Sequence, residues 1–315
     1  MKILFSVGNA FVPIHQEMVM KMEQLGAKVE CLTFDASMNP DKVKEKIRDA
    51  DIYVLAVTKV NREVLDCAHS LKLIIKLGTG VDNIDVNYAV EKGIVVSNAP
   101  GENAWSVAEL VIGYMIALSR KLSLLDSRTK KGAWKHSLGL ELSGKTLGIL
   151  GFGNIGKKIA QITHVFRMNK IAFSNHKDEK MAERLGVSFV TMDQLFSESD
   201  YLVISTSLNQ TNYHLIDASV FKKMKANAFL INISRGAIID EVALFDALQT
   251  NQIGGAALDV REIEPPDSVP NLNNLMVTPH IGGSTIESIQ RIANLTLENI
   301  RRFSQGESIL HVVNR

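Results

Sequence analysis

Thr146-Leu147-Gly148-Ile149-Leu150-Gly151-Phe152-Gly153-Asn154-Ile155-Gly156 is the stretch on which the fold turns. Its first five residues form an apolar run suited to a buried strand, and residues 157–163 after it are helical in pattern. A strand, a Gly-x-Gly-x-x-Gly turn and a helix, in that order, make the opening βα unit of a dinucleotide-binding sheet. Gly151 permits the tight turn, Gly153 lets backbone approach a pyrophosphate, and Gly156 lets helix and strand pack closely. The helix amino terminus then offers N–H groups to the phosphates.

The same alternation of apolar runs and amphipathic segments fills the chain on both sides of this stretch. Downstream, strands are expected at residues 171–173, 201–204, 228–233, 256–258 and 276–278. Upstream, strand-like residues 2–7, 29–34, 52–57, 73–77 and 94–97 alternate with helix-like 16–25, 43–50 and 63–68. That is about five parallel strands with crossovers, a flavodoxin-like open sheet. Val107, Leu110, Val111, Tyr114, Met115 and Leu118 recur at three and four, giving a long helix over 103–119 that is expected to bridge two lobes. Ile286, Ile289, Ala293, Leu297 and Ile300 do the same for a helix over 285–303. The fold class is therefore α/β, with a smaller open-sheet lobe and a larger Rossmann lobe.

Composition narrows the function classes. The 315 residues imply about two domains at roughly 150 residues each, and 46% hydrophobic content supplies their cores. Lys and Arg number 35 against 34 Asp and Glu, with the signs interspersed, so no nucleic-acid partner is expected. Cys31 and Cys67 are too few for a disulfide framework or a metal cluster and sit in apolar sequence, so both are expected as core thiols and no metal is expected. Ile3-Leu4-Phe5 ends at Ser6, short of the roughly 7 to 15 apolar residues of a secretory leader. No apolar run approaches the roughly 18 residues that span a bilayer, so a cytoplasmic location without membrane association is expected.

An NAD site commonly carries Asp or Glu at the end of the second strand, on the ribose hydroxyls. Here that place holds Ser174-Asn175-His176-Lys177, four hydrogen-bond donors with no carboxylate to repel a 2′-phosphate. The reading favours NADP ahead of NAD. Two alternatives stay open: Ser174 and Asn175 bind a ribose hydroxyl neutrally, or Asp178 supplies the carboxylate from a longer loop.

Three residues near the ends of successive strands form a candidate catalytic set. Arg235, in Asn232-Ile233-Ser234-Arg235-Gly236, is a permanent bidentate partner for a carboxylate. His280, in Thr278-Pro279-His280-Ile281-Gly282-Gly283, titrates near neutrality and can exchange the proton that accompanies a hydride. Glu264 can raise the His280 pKa and fix its tautomer.

These motifs together resemble the D-isomer-specific 2-hydroxyacid dehydrogenases over essentially the whole length. Gly78-Thr79-Gly80-Val81-Asp82-Asn83-Ile84-Asp85 is similar to the family's first-lobe signature, and Asn98-Ala99-Pro100 through Val107-Ala108-Glu109-Leu110 to its lobe-connecting segment. The resemblance implies reversible hydride transfer between nicotinamide and C2 of a small D-2-hydroxy or 2-keto acid, with Arg235, Glu264 and His280 catalytic. It also implies that Thr79 and the neighbouring amides of Gly78 and Gly80 receive the substrate carboxylate. Asn154 and Ile155 would meet pyrophosphate, Thr206 and Ser207 the adenosine side, and Ile233, Asp259 and Gly282 the nicotinamide end. A discontinuous substrate domain (1–98 and 284–315) would enclose an inserted cofactor domain (99–283), with closure about Ala99 and Gly283. A homodimer through the cofactor domain, with the Trp134 region at the partner, is expected.

The Gly-Thr-Gly-Val-Asp-Asn run is most similar to phosphoglycerate dehydrogenases, which makes D-3-phosphoglycerate the alternative substrate. The chain departs from their pattern at Leu55 and Lys76, where those enzymes tend to carry arginine, and at Ser207, where the family often has proline. Lys59 and Lys76 remain as candidate phosphate ligands. No carboxy-terminal regulatory domain, and hence no serine feedback through one, is expected. A more remote alternative is a cofactor-sensing, corepressor-like binding protein.

Overall fold

The computed structural model describes residues 1–6 and 8–314. Twelve strands form among them: β1 (Lys2–Ser6), β2 (Lys28–Leu32), β3 (Ile52–Leu55), β4 (Leu73–Lys76), β5 (Val95–Ser97), β6 (Thr146–Leu150), β7 (Asn169–Phe173), β8 (Val187–Phe189), β9 (Tyr201–Ile204), β10 (Phe229–Asn232), β11 (Gly255–Leu258) and β12 (Leu275–Val277). Val7, expected at the end of β1, lies outside the described residues. The chain divides into two compact units, Met1–Asn103 with Ser284–Arg315, and Ala104–Gly283.

The first unit holds an all-parallel sheet in the order β2-β1-β3-β4-β5. Its central strands are apolar on both faces because crossover helices cover both. Ile3, Phe5, Ile52, Val54, Leu73 and Ile75 point to one cluster, and Leu4, Tyr53, Leu55, Ile74 and Val96 to the other. The helix Ile286–Ser304 lays Ile289, Ile292, Ala293 and Ile300 on the first of these. Asn39 caps the helix Pro40–Lys46 with Pro40 in its first turn, so that helix starts and stops earlier than residues 43–50. Cys31 corrects the expectation of a core thiol: it is exposed on β2, a strand at the edge of the sheet, and Cys67 is only half-buried.

The second unit holds a parallel sheet in the order β12-β11-β10-β9-β6-β7-β8. Strand order reverses between β6 and β9, which opens a ligand crevice beyond their carboxyl ends. Alternate residues again part to two cores: Leu147, Ile149, Tyr201, Val203 and Ile231 to one, Leu150, Leu202, Ile204, Leu230 and Leu258 to the other. The helix Ala104–Arg120 buries Val107, Val111, Tyr114, Met115 and Leu118 in the first core, as its spacing predicts. β8 is not among the expected strands: it is a three-residue edge strand whose middle residue, Ser188, is exposed, so it shows no apolar run. No helix among the described residues is long and apolar enough to cross a membrane.

Candidate active site

The glycine turn is built as a cradle at the switch point. Gly151 has φ +101°, and a Cβ there would lie 2.7 Å from the Thr206 amide nitrogen, so only glycine lets the β6 and β9 loops touch. A Cβ on Gly156 would lie 2.3 Å from the Gly151 carbonyl oxygen, so the helix Asn154–Ile162 is pressed directly onto the turn. Around Gly153 nothing lies within 4 Å of such a Cβ. That open side, at the residue capping the helix without a side-chain hydrogen bond, fits the approach of a pyrophosphate. Across the crevice, Ser234 donates its hydroxyl to the Thr206 carbonyl, and Ser205 donates to the Gly151 carbonyl at 2.8 Å. Ser207 is exposed, with its carbonyl held by Asn212 at 2.8 Å, while Ile233 is buried in the core.

After β7, Ser174 is half-buried and Asn175, His176 and Lys177 are exposed. The Ser174 hydroxyl closes a local turn on the His176 carbonyl at 3.0 Å. Asp178 is already engaged: Oδ2 pairs with Lys157 Nζ at 2.6 Å, and Oδ1 caps the next helix at the Met181 N–H, 3.2 Å away. Hydrogen bonds from Lys157 and from that N–H hold its carboxyl below the ordinary aspartate value.

The candidate catalytic residues gather beyond β10, β11 and β12. His280 Nδ1 lies 2.8 Å from Glu264 Oε2. An ionised carboxylate only accepts, so Nδ1 carries the proton and Nε2 is the nitrogen left for chemistry. The Glu264 hydrogen bond holds the imidazole above the ordinary histidine value, against opposition from burial and from Arg235. Burial pushes the Glu264 carboxyl up, but hydrogen bonds from His280 and from the Arg261 N–H outweigh it and leave it below the usual glutamate value. Arg235 contributes to both shifts, so the three side chains form one electrostatic group.

Backbone anchors aim these side chains. The buried Asn232 accepts from the Ser234 N–H at 3.1 Å and donates to the Arg235 carbonyl at 2.9 Å, which fixes the main chain that carries the guanidinium. Arg235 itself is half-buried, and its Nη1 donates to the Ser234 carbonyl at 2.8 Å.

His280 sits at φ +53°, a left-handed conformation that costs a non-glycine residue about 1 kcal/mol or more. Asp259, buried at the end of β11, holds the loop there. Its Oδ1 accepts from the Ile281 N–H at 2.8 Å and the Thr278 hydroxyl at 2.6 Å, and its Oδ2 accepts from the Gly282 N–H at 2.7 Å. The phenol of Tyr114, from the helix Ala104–Arg120, bonds the same Thr278 hydroxyl and reaches Asp259 Oδ1 at 3.5 Å. A Cβ on Gly282 would lie 2.9 Å from Asp259 Oδ2. Asn232, Tyr114 and Thr278 carried no sequence signal for this role. Their function depends on partners that the fold alone supplies.

In the first unit, Gly78 has φ +148° and Thr79 is exposed, with its hydroxyl 3.2 Å from the Ala99 carbonyl. Lys76 Nζ donates to the Ala56 carbonyl and to Asn83 Oδ1 at 2.9 Å. Asn83 in turn donates to the Thr58 carbonyl at 2.6 Å, so Lys76 and Asn83 tie the loops after β3 and β4 together. Lys59 is exposed. Among the described residues no group of His, Cys, Asp and Glu could hold a metal ion.

Residues 112–282 match the family model described as the NAD-binding domain of D-isomer specific 2-hydroxyacid dehydrogenases. The chain is 39% identical over 308 residues to a D-3-phosphoglycerate dehydrogenase of Methanocaldococcus jannaschii, covering 96% of this chain and 58% of that protein. It thus spans little more than half the length of that relative. A glyoxylate reductase of Thermococcus litoralis is 38% identical over 283 residues, which is 86% of each chain. Among solved structures, a D-lactate dehydrogenase from Aquifex aeolicus in complex with NAD and lactic acid superposes with a TM-score of 0.87 at 27% identity, over 99% of both chains.

Proposed function

The chain belongs to the D-isomer-specific 2-hydroxyacid dehydrogenases, and on that premise we propose that it moves a hydride reversibly between a nicotinamide cofactor and C2 of a small D-2-hydroxy acid. The observation that carries the reading is the His280–Glu264 hydrogen bond beside Arg235, in the same unit as the glycine cradle. Gly151, Gly153, Asn154, Ile155 and Gly156 would hold the pyrophosphate, with Thr206 and Ser207 toward the adenosine and Ile233, Asp259 and Gly282 toward the nicotinamide. When bound, the nicotinamide ring supplies or accepts the hydride at C4.

The side chains do the rest. His280 Nε2 gives a proton to the C2 oxygen during reduction and takes it back during oxidation, while Glu264 keeps Nδ1 protonated and stabilises the imidazolium. Arg235 orients the substrate carboxylate and polarises the carbonyl that becomes the alcohol. Within the first unit, Gly78, Thr79 and Gly80 are the proposed carboxylate receivers.

Two finer readings follow. NADP is favoured over NAD, because Ser174 to Lys177 present no carboxylate and both oxygens of Asp178 are engaged by Lys157 and Met181. An unphosphorylated acid is favoured over 3-phosphoglycerate, because Lys76 is committed to Ala56 and Asn83, which leaves Lys59 as the exposed member of the lysine pair. Trp134 and Leu138, 84% and 93% exposed, support a homodimer in which a second copy covers them.

The test is the initial rate of NADPH and of NADH oxidation with hydroxypyruvate and with 3-phosphohydroxypyruvate. Faster turnover of NADPH with the unphosphorylated acid is expected. Strong preference for the phosphorylated acid would transfer the assignment to a phosphoglycerate dehydrogenase, and no turnover of any 2-keto acid would favour a cofactor-sensing role.

A further inference from the structure

The turn that presents Glu264 is held by a buried ion pair that the proposed mechanism does not use. Arg261, 9% exposed, donates Nε and Nη2 to the two carboxylate oxygens of Glu241 at 2.8 and 2.9 Å. Its guanidinium lies 5.3 Å from the Phe245 ring centroid. Glu241 Oε1 also accepts the Glu262 N–H at 2.9 Å, so one carboxylate gathers the whole start of the turn. The Arg261 backbone N–H then donates to Glu264 Oε1 at 2.9 Å, which leaves Oε2 for His280.

The same turn also touches the segment that carries Arg235. A Cβ on Gly236 would lie 1.9 Å from the Arg261 carbonyl carbon and 2.1 Å from the Glu262 nitrogen, so backbone lies on backbone there. Two short segments, 235–241 and 261–264, are thus clasped along their length. Each carries a proposed catalytic residue at one end and half of the ion pair at the other.

A buried ion pair contributes little net stability, because desolvation offsets most of the Coulomb attraction. Here Arg261 Nη1 is in addition buried without a hydrogen-bond partner, which makes the arrangement less favourable still. What a bidentate fork does supply, and an apolar pair does not, is a fixed distance and orientation.

We propose that Glu241 and Arg261 are positioning residues, whose ion pair sets the spacing of Arg235 and Glu264 and locks the Glu264 carboxylate onto His280. The inference rests on the catalytic reading of Arg235, Glu264 and His280 given above. The charged groups facing Glu264 are His280, Arg235 and Glu241, and those facing His280 are Glu264, Asp259 and Arg235. Releasing the clasp therefore removes the fixed Glu264 contact and leaves Arg235 to oppose the imidazolium.

The experiment compares the wild type with a Glu241→Gln, Arg261→Met double variant, which exchanges the pair for neutral, unbranched side chains and removes the guanidinium fork. Arg261→Lys, which keeps the charge and loses the fork, is the second variant. The His280 ring is titrated by NMR, and kcat and KM for keto-acid reduction are measured across pH. Expected in the folded double variant are a His280 midpoint lower by about half a unit or more and a kcat lower by about tenfold with little change in cofactor KM. Arg261→Lys shifts both in the same direction by less, and it carries the test alone if the double variant does not fold. A wild-type His280 titration and kcat in whichever variant is folded would overturn the proposal. The NMR readout is independent of turnover: full activity of His280→Ala would refute the catalytic reading, whereas an unmoved His280 titration refutes the clasp.

Discussion

Replacing Glu264 by Gln keeps a hydrogen-bond acceptor beside His280 and removes only the charge. The 2.8 Å contact places the lost charge against the imidazole, and an effective dielectric near 20 would make that attraction about 6 kcal/mol at contact distance. The two side chains are, however, 52% and 38% exposed, so solvent screens much of it. About 1 to 2 kcal/mol is a reasonable remainder, which corresponds to about one pKa unit. The direction follows from the raised His280 value: Glu264 favours the protonated ring, so its loss lowers the pH at which the ring deprotonates. In the proposed mechanism, reduction of a keto acid needs the proton on His280, so the rate should fall as pH rises through that value. In Glu264→Gln the fall begins about one unit lower, so above both values the reductive kcat/KM is about tenfold below wild type. The oxidative limb, which needs neutral His280, shifts toward acid by the same amount. Steady-state rates in both directions across pH measure this. Limbs that coincide with wild type would refute the coupling of Glu264 to His280.

Three further substitutions probe the scaffold. Gly151→Ala puts a Cβ 2.7 Å from Thr206 at φ +101°, and a loss of about 2 kcal/mol or more in chemical denaturation, with weakened cofactor binding by fluorescence titration, is expected. Asp259→Asn sets an amide donor against one of the Ile281 and Gly282 N–H groups, so kcat should fall by about ten- to a hundredfold; wild-type kcat would contradict the anchoring role. Tyr114→Phe removes the phenol and leaves the Thr278 hydroxyl on Asp259, so a loss of about 1 kcal/mol in denaturant melts and less than about a threefold change in kcat is expected.

Much of this site was legible in the chain because its signals are local. Gly151, Gly153 and Gly156 declare a turn by their spacing, and the strand before and helix after them are each a single run. Arg235, Glu264 and His280 were visible because each follows a strand end, where ligands collect in open α/β sheets. The anchors were not, because their roles are made by long-range contact. Tyr114 reads as one more apolar position on a helix until Asp259, 145 residues later, is brought to its hydroxyl. Lys76 reads as a free cation at a strand end, yet the fold hands it the Ala56 carbonyl and Asn83. Cys31 looked apolar in context, but whether a strand is central or at an edge is decided by topology and not by its own residues. The Glu241–Arg261 pair is hidden for the same reason.

The central claim is that His280 exchanges the proton that accompanies hydride transfer at C2 of a 2-keto acid. Oxidation of NADPH and NADH, followed by absorbance with glyoxylate and hydroxypyruvate in wild type and His280→Ala, tests it most directly. Stoichiometric oxidation in the wild type and a rate lower by about a hundredfold or more in the variant are expected. Equal rates in the two proteins, or no oxidation with either acid in the wild type, would contradict it.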